Sequence, residues 1–337
     1  MAIEAPERIQ TLICELQLDL LQRFLEARSR MHPEMLSSVS DETAADTIYA
    51  IDRICETAIL EWFEANWPEE YPVELVMEGL ESHGCVTFPK SCPVTETVLK
   101  CIIDPVDGTR GIMFDKRSAW ILTAVAPQKG PDTRLADIEV AAMTELPTTR
   151  AWRADQVSAR RGQGLSAQAY DLRSEMRASP VKLHPSKATE VRHAFGTVSR
   201  FFPAGSEALS AFEESLWKAL YGTSSSPSPL IFNDQYISSG GQFYEILAGH
   251  DRFVADLRPL AFRKLGIESN LCCHPYDIAT ALILEEAGCV VEHPLGGVLD
   301  SPLDTTTPVA WVAFANPELA AAMRPVFRKL VREHFQS

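Results

Sequence analysis

Apolar residues recur along this chain in two rhythms. Between residues 7 and 28, Ile9, Leu12, Ile13, Leu16, Leu20 and Phe24 fall at three- and four-residue spacing, which predicts an amphipathic helix. Ser40-Asp41-Glu42 leads into a second expected helix, with a buried stripe of Ile48, Ile51, Cys55, Ile59 and Trp62 or Phe63. Leu75-Val76-Met77 reads as a short strand and 82–97 as a loop or insertion. The apolar runs at 98–103, 119–126 and 137–143 read as further strands. Residues 159–164 have the glycines of a hairpin corner. Then come an expected strand at 194–197, a helix at 206–221, a Ser- and Pro-rich loop at 222–229 and a helix at 235–248. A strand at 252–256, a helix at 276–287, two later strands and a last helix at 317–334 complete the pattern. Helices and strands alternate unevenly and no repeat is evident, which predicts a layered α/β or α+β architecture.

The strand at 98–103 runs into Asp104-Pro105-Val106-Asp107-Gly108-Thr109. Pro105 fixes φ and lacks an N–H, so the strand is expected to end there. Gly108 permits a tight bend, and Thr109 can cap the next helix or turn. Two carboxylates and a backbone carbonyl are thereby gathered at a strand end, an oxygen set that suits Mg²⁺. The N–H groups of Gly108 and Thr109 would face an anion such as phosphate.

Composition narrows the classes of function. The 337 residues are 46% hydrophobic and 23% charged, values of a globular protein with a large core. The net charge of −15 gives no general attraction to nucleic acid or anionic membrane. A handler of phosphate esters with this balance must supply local positive charge, most simply as metal ions. The first residues lack the order of an export signal, and no apolar run is long enough to span a bilayer. The eight cysteines show no CxxC spacing and read as packing thiols of a cytoplasmic protein.

Four acidic groups recur in order: Asp46, Asp52 and Glu56; Glu78 and Glu81; Asp104 and Asp107; and Asp277, in Tyr276-Asp277-Ile278-Ala279-Thr280, followed by Glu286-Ala287-Gly288. Together with Asp-Pro-Val-Asp-Gly-Thr and the 159–164 corner, they make residues 40–315 resemble the inositol monophosphatase superfamily. These are Mg²⁺-dependent, lithium-sensitive phosphatases that include fructose-1,6-bisphosphatases and nucleotide 3′-phosphatases.

The resemblance implies a layered α-β-α-β-α sandwich. It also implies one phosphatase unit with an N-terminal lobe over about 1–185 and a C-terminal lobe over about 186–337. It implies a phosphomonoesterase for a small polyol or sugar phosphate, using two or three Mg²⁺ ions, with Mn²⁺ or Ca²⁺ also suited to the site. Asp104, the Val106 carbonyl, Asp107 and Asp277 would be metal ligands, Gly108 and Thr109 phosphate contacts, and Thr109 and Asp52 aids to the attacking water. A homodimer is expected.

The family's Gly-Glu-Glu is altered here to Glu78-Gly79-Leu80-Glu81, which puts Leu80 at the critical place. Glu78, nearest the strand end, or Glu81 would then serve as metal ligand and water activator. Arg110, Arg200, Ser238, Ser239 and Asp256 are candidate substrate contacts. A second phosphate would draw on Arg110, Lys116, Arg117, Arg200 and Arg258, making a sugar bisphosphatase or nucleotide 3′-phosphatase the alternative. The altered glutamate motif also leaves open an inactive member that binds metal or phosphate.

Overall fold

The computed structural model describes residues 2–30, 39–42, 47–80, 85–222, 230–268 and 271–336. The chain opens with helix α1 (Pro6–Arg30), a hairpin of β1 (Val39–Glu42) and β2 (Thr47–Tyr49), and helix α2 (Ala50–Asn66). The second helix thus begins later than its sequence suggested. The β-prone Thr47-Ile48-Tyr49 pairs antiparallel with 39–42 instead of joining the helix.

Strands β3 (Val73–Met77), β4 (Val86–Phe88) and β5 (Leu99–Asp107) follow, so the expected loop at 82–97 carries a strand. After the short helix α3 (Thr109–Met113) come β6 (Ala119–Pro127), β7 (Val140–Leu146), β8 (Arg153–Arg160), β9 (Leu165–Asp171) and β10 (Arg177–Pro180). These form an eight-stranded sheet in the order β10-β9-β8-β7-β6-β5-β3-β4.

The second half contains β11 (Ala194–Val198), α4 (Ser206–Tyr221), β12 (Ile231–Phe232), α5 (Ser239–Leu247), β13 (Asp251–Asp256) and α6 (Arg258–Leu265). A 3₁₀ turn (Tyr276–Ile278), α7 (Ala281–Glu286), β14 (Val290–Glu292), β15 (Trp311–Phe314) and α8 (Pro317–Phe335) complete the chain. Its five-stranded sheet is ordered β12-β11-β13-β15-β14.

Three buried clusters hold the layers together. In β5, Cys101 and Ile103 face the cluster under α1 and α2, whereas Ile102 faces the cluster between the sheets. In β13, Val254 faces that middle cluster, and Phe253 and Ala255 pack with α4 and α8 on the far side. Burial on both faces explains why these strands read as unbroken apolar runs. The helices α5 and α7 lie in the middle layer, through Phe243, Ile246, Leu247, Leu282 and Ile283. The result is an α-β-α-β-α sandwich.

Three expected boundaries differ. Strand β5 continues through Pro105 to Asp107. Its parallel neighbour β3 ends opposite Ile103, and a bulge against β6 falls between the Asp104–Leu122 and Asp107–Trp120 pairs. The proline therefore sits where the ladder is already interrupted. The helix expected from 235 starts at Ser239, because the Ser238 hydroxyl accepts the Gly241 N–H at 2.9 Å. The helix expected at 276–287 divides into the 3₁₀ turn and α7, since Thr280 has a non-helical backbone.

Candidate metal and phosphate site

The bulged end of β5, the start of α5 and the 3₁₀ turn meet between the two sheets. Asp104 is 1% exposed and accepts the Val106 N–H at 3.0 Å. Gly108 has φ of +99°, which turns the chain from β5 into α3. A Cβ there would lie 2.9 Å from the Ser238 Cβ, so glycine is required both by conformation and by the approach of α5. The Thr109 hydroxyl donates to the Val106 carbonyl at 2.8 Å.

Asp107 is held by the start of α5. Its Oδ2 accepts from the Ser238 hydroxyl at 2.8 Å and the Gly240 N–H at 2.6 Å, and its Oδ1 from the Ser239 N–H at 3.2 Å. Asp277 reaches back to the His274 N–H at 2.6 Å. Asp104, Asp107 and Asp277 each offer an oxygen, and these atoms lie within 4.8 Å of one another.

Glu78 joins the same cavity from the end of β3. Its N–H donates to the Ile103 carbonyl at 3.4 Å and its carboxylate accepts the Tyr276 hydroxyl at 3.3 Å. Gly79, at φ of +88°, then reverses the chain, and Leu80 is buried in the core beneath α1 and α2. The substituted leucine is thus a core residue, while the glutamate before the glycine faces the cavity. Glu56 lies against that turn: a Cβ on Gly79 would fall 2.3 Å from its Oε1. Asp46 and Glu81 lie outside the described residues, as does the side chain of Asp52.

Burial, then the charges of Glu78, Asp107 and Asp277, raises Asp104 well above the ordinary carboxylate range. Burial and the Asp107 charge do the same to Asp277. Asp107 is pushed up to about 6 by burial, against the opposing hydrogen bonds from Gly240, Ser238 and Ser239. Like charges gathered out of water are costly unless a cation joins them. The donor set fits one: all ligand atoms are hard oxygens. Asp107 Oδ2 already accepts two hydrogen bonds, which leaves Oδ1 the better placed to bind a cation.

The cavity measures ≈ 80 Å³, and Gly108, Thr109, Arg110, Ser238 and Ser239 line it beside the acids. The Arg110 guanidinium lies over the Phe202 ring at 5.3 Å. Two expected substrate contacts fall elsewhere. Asp256 is fully buried and outside the cavity lining, with both its oxygens accepting from Arg258. Arg200 is also outside the lining and pairs with Glu213. Ser238 is at the wall, but its hydroxyl holds Asp107 and caps α5.

In place of Asp256, Arg258 reaches the cavity. It also donates to the Leu271 carbonyl at 3.0 Å and lies under Phe201 at 4.6 Å. The residue pattern marks Arg258 only as a second-phosphate candidate and does not single out Phe201, Phe202 or Tyr276. The adjacent aromatic pair at 201–202 is the signal that could have done so. Arg117 is drawn away to Asp234 and Tyr236.

No protein-family model matches the sequence, and no curated protein matches it. Solved structures do. Fructose-1,6-bisphosphatase from Leishmania major superposes with a TM-score of 0.67 at 14% identity, covering 98% of this chain and 99% of that one. The extragenic suppressor protein suhB from Bartonella henselae gives 0.62 at 15% identity, over 97% and 99%. The IMPase of Thermotoga maritima gives 0.59 at 14%, over 98% of each. The fold is that of the inositol monophosphatase and fructose-1,6-bisphosphatase structures.

Proposed function

We propose that this protein is a Mg²⁺-dependent phosphomonoesterase for a small polyol or sugar phosphate. The observation that carries the reading is the buried trio Asp104, Asp107 and Asp277 in one cavity with Gly108, Thr109 and Arg110. Asp104, Asp107, Asp277, Glu78 and the Val106 carbonyl would hold the ions. Bound divalent cations would neutralise phosphate charge and supply a nucleophilic water at neutral pH. The Thr109 hydroxyl donates to the Val106 carbonyl, so toward the attacking water it would act as an acceptor and orient it. Glu78, which accepts a hydrogen bond from Tyr276, would take that water's proton. Arg110 would balance charge on the phosphoryl oxygens.

A sugar bisphosphatase or nucleotide 3′-phosphatase is the second reading. It would draw on a second guanidinium, Arg258, which lines the same cavity while paired with Asp256. Against an inactive metal-binding member stands Glu78, which lines the cavity beside the three aspartates. A cytoplasmic homodimer is part of the proposal.

The test is phosphate release from inositol phosphates, sugar mono- and bisphosphates and nucleotide 3′-phosphates, with Mg²⁺, with chelator, and with Asp104→Asn. Metal-dependent turnover that the variant lacks supports the reading, and the preferred ester names the branch. Metal-induced stabilisation without turnover of any ester overturns it in favour of a binding role.

A further inference from the structure

A second cavity lies on the other side of α6. Arg258 of that helix lines the carboxylate site, whereas Pro259, Leu260 and Arg263 line the second cavity, and the two share no residue. At ≈ 260 Å³ it is the roomier of the two.

Its polar wall is cationic. The Arg263 side chain is exposed and enters no hydrogen bond or ion pair among the described residues. His293 accepts the Leu295 N–H at Nδ1, at 3.3 Å, so in its neutral form the proton is on Nε2 and can be donated. Burial and the neighbouring Arg263 both hold this imidazole below its ordinary value. The acid on the wall, Asp300, is bound by Arg134 at 2.5 Å and so adds little free negative charge. Ser301 borders the cavity with a buried hydroxyl that has no hydrogen-bond partner among the described residues.

The remaining wall is mostly apolar and stiff, made of Leu260, Val309, Ala310 and the prolines 259, 302 and 308, with Thr307 among them. A concave site that sets apolar side chains beside a few convergent polar groups is the usual form of a small-molecule site. Beside the Arg134–Asp300 ion pair and Thr307, the polar groups here are the Arg263 guanidinium, the His293 imidazole and the Ser301 hydroxyl.

We propose that this cavity binds a small organic anion, a phosphate or carboxylate head on an apolar body. Arg263 and His293 bind the head and the proline-lined wall covers the body. The proposal is independent of the phosphatase reading, because it concerns a separate cavity and needs neither metal nor turnover.

The test is calorimetric titration of the whole protein in chelator with phenylphosphonate, benzoate and sulfate. Phenylphosphonate or benzoate should bind once per chain and about tenfold or more tighter than sulfate, which lacks the apolar body. Arg263→Glu should weaken binding by about tenfold or more, as expected for loss of a charge-assisted contact. Arg263→Gln should weaken it less, and Arg110→Ala, in the other cavity, should leave it unchanged. Melting curves establish that each variant is folded, which the exposure of Arg263 favours. Absence of saturable binding by either organic anion overturns the proposal. So does binding that Arg110→Ala removes and Arg263→Glu spares, and so does sulfate binding as tightly as the organic anions.

Discussion

Gly240 donates its backbone N–H to Asp107 at 2.6 Å, and any side chain at 240 would occupy the space that makes this contact possible. A Cβ there would lie 2.6 Å from Leu122 Cδ2 and 3.0 Å from both Asp107 Oδ2 and Trp120 Cβ. The glycine lets α5 approach β5 and β6 closely enough for its first N–H groups to hold a carboxylate. Gly240→Ala should therefore cost about 1–3 kcal/mol of stability, as overpacking does. It should also weaken the cation site by displacing Asp107. Melting temperature with and without Mg²⁺ reads both effects. A variant stabilised by Mg²⁺ as much as the wild type would show that Asp107 needs no help from α5.

Removing one of the crowded acids should act oppositely with and without metal. Asp104 is buried and raised by its own desolvation and by Glu78, Asp107 and Asp277. Asparagine keeps an oxygen to accept the Val106 N–H and removes a source of repulsion. In chelator, Asp104→Asn should melt no lower than the wild type. Mg²⁺ should raise the wild-type melting temperature by several degrees, on the order of 1–3 kcal/mol of linkage, and leave the variant unmoved. A variant that melts lower in chelator and still responds to Mg²⁺ would remove Asp104 from the ligand set.

Away from the site, Glu145 gives the fold a pH dependence with a definite sign. Burial pushes it up from 4.5 to about 7, partly opposed by the Ser118 hydroxyl and reinforced by the Asp155 charge. The folded chain therefore binds more protons than the unfolded chain between these values. The protein is most favoured at the acidic end of that window and loses stability as pH rises through 7. Asp251, raised to about 7 by burial and then by Glu245 and Asp234, acts in the same direction. Urea denaturation at pH 5 and pH 8 should show a smaller loss for Glu145→Gln than for the wild type, by on the order of 1–3 kcal/mol. Equal losses would mean that Glu145 is ionised in the folded protein at both pH values.

The features legible in the sequence are those that depend on neighbours along the chain. Helix α1 shows its buried stripe at 9, 12, 13, 16, 20 and 24, and the two-sided burial of β6 shows as an unbroken apolar run. The grouping of Asp104 and Asp107 comes from the strand end that carries both. The parts that were not legible depend on what the fold sets beside each residue. Pro105 remains in β5 because β3 ends at Met77. Asp256 looked free to meet a ligand, but the arginine two residues on folds back onto it and takes its place at the cavity. The cradle around Asp107 is made of backbone N–H groups and one serine hydroxyl from more than 130 residues away, and backbone donors leave no mark on a residue pattern.

The Glu78-Gly79-Leu80 turn supports the sharpest prediction, because two substitutions should part company there. Leu80 is 6% exposed and packs in the core beneath α1 and α2. Restoring an acid with Leu80→Glu would bury an unpaired charge among apolar side chains, at a cost of about 3–5 kcal/mol. It should melt far below the wild type and gain no turnover. Glu78, by contrast, lies in the cavity with Tyr276 on its carboxylate. Glu78→Gln keeps the shape and an oxygen for that hydroxyl, so it should fold as the wild type does. It should lower turnover by about 10²–10⁴, the range for loss of a general base, and raise the Mg²⁺ concentration needed for half-maximal activity. Tyr276→Phe should cost much less, since it removes only the group that orients Glu78. If Glu78→Gln kept full turnover, the water-activating role would pass to another acid, and Asp104 would be the first to test in its place.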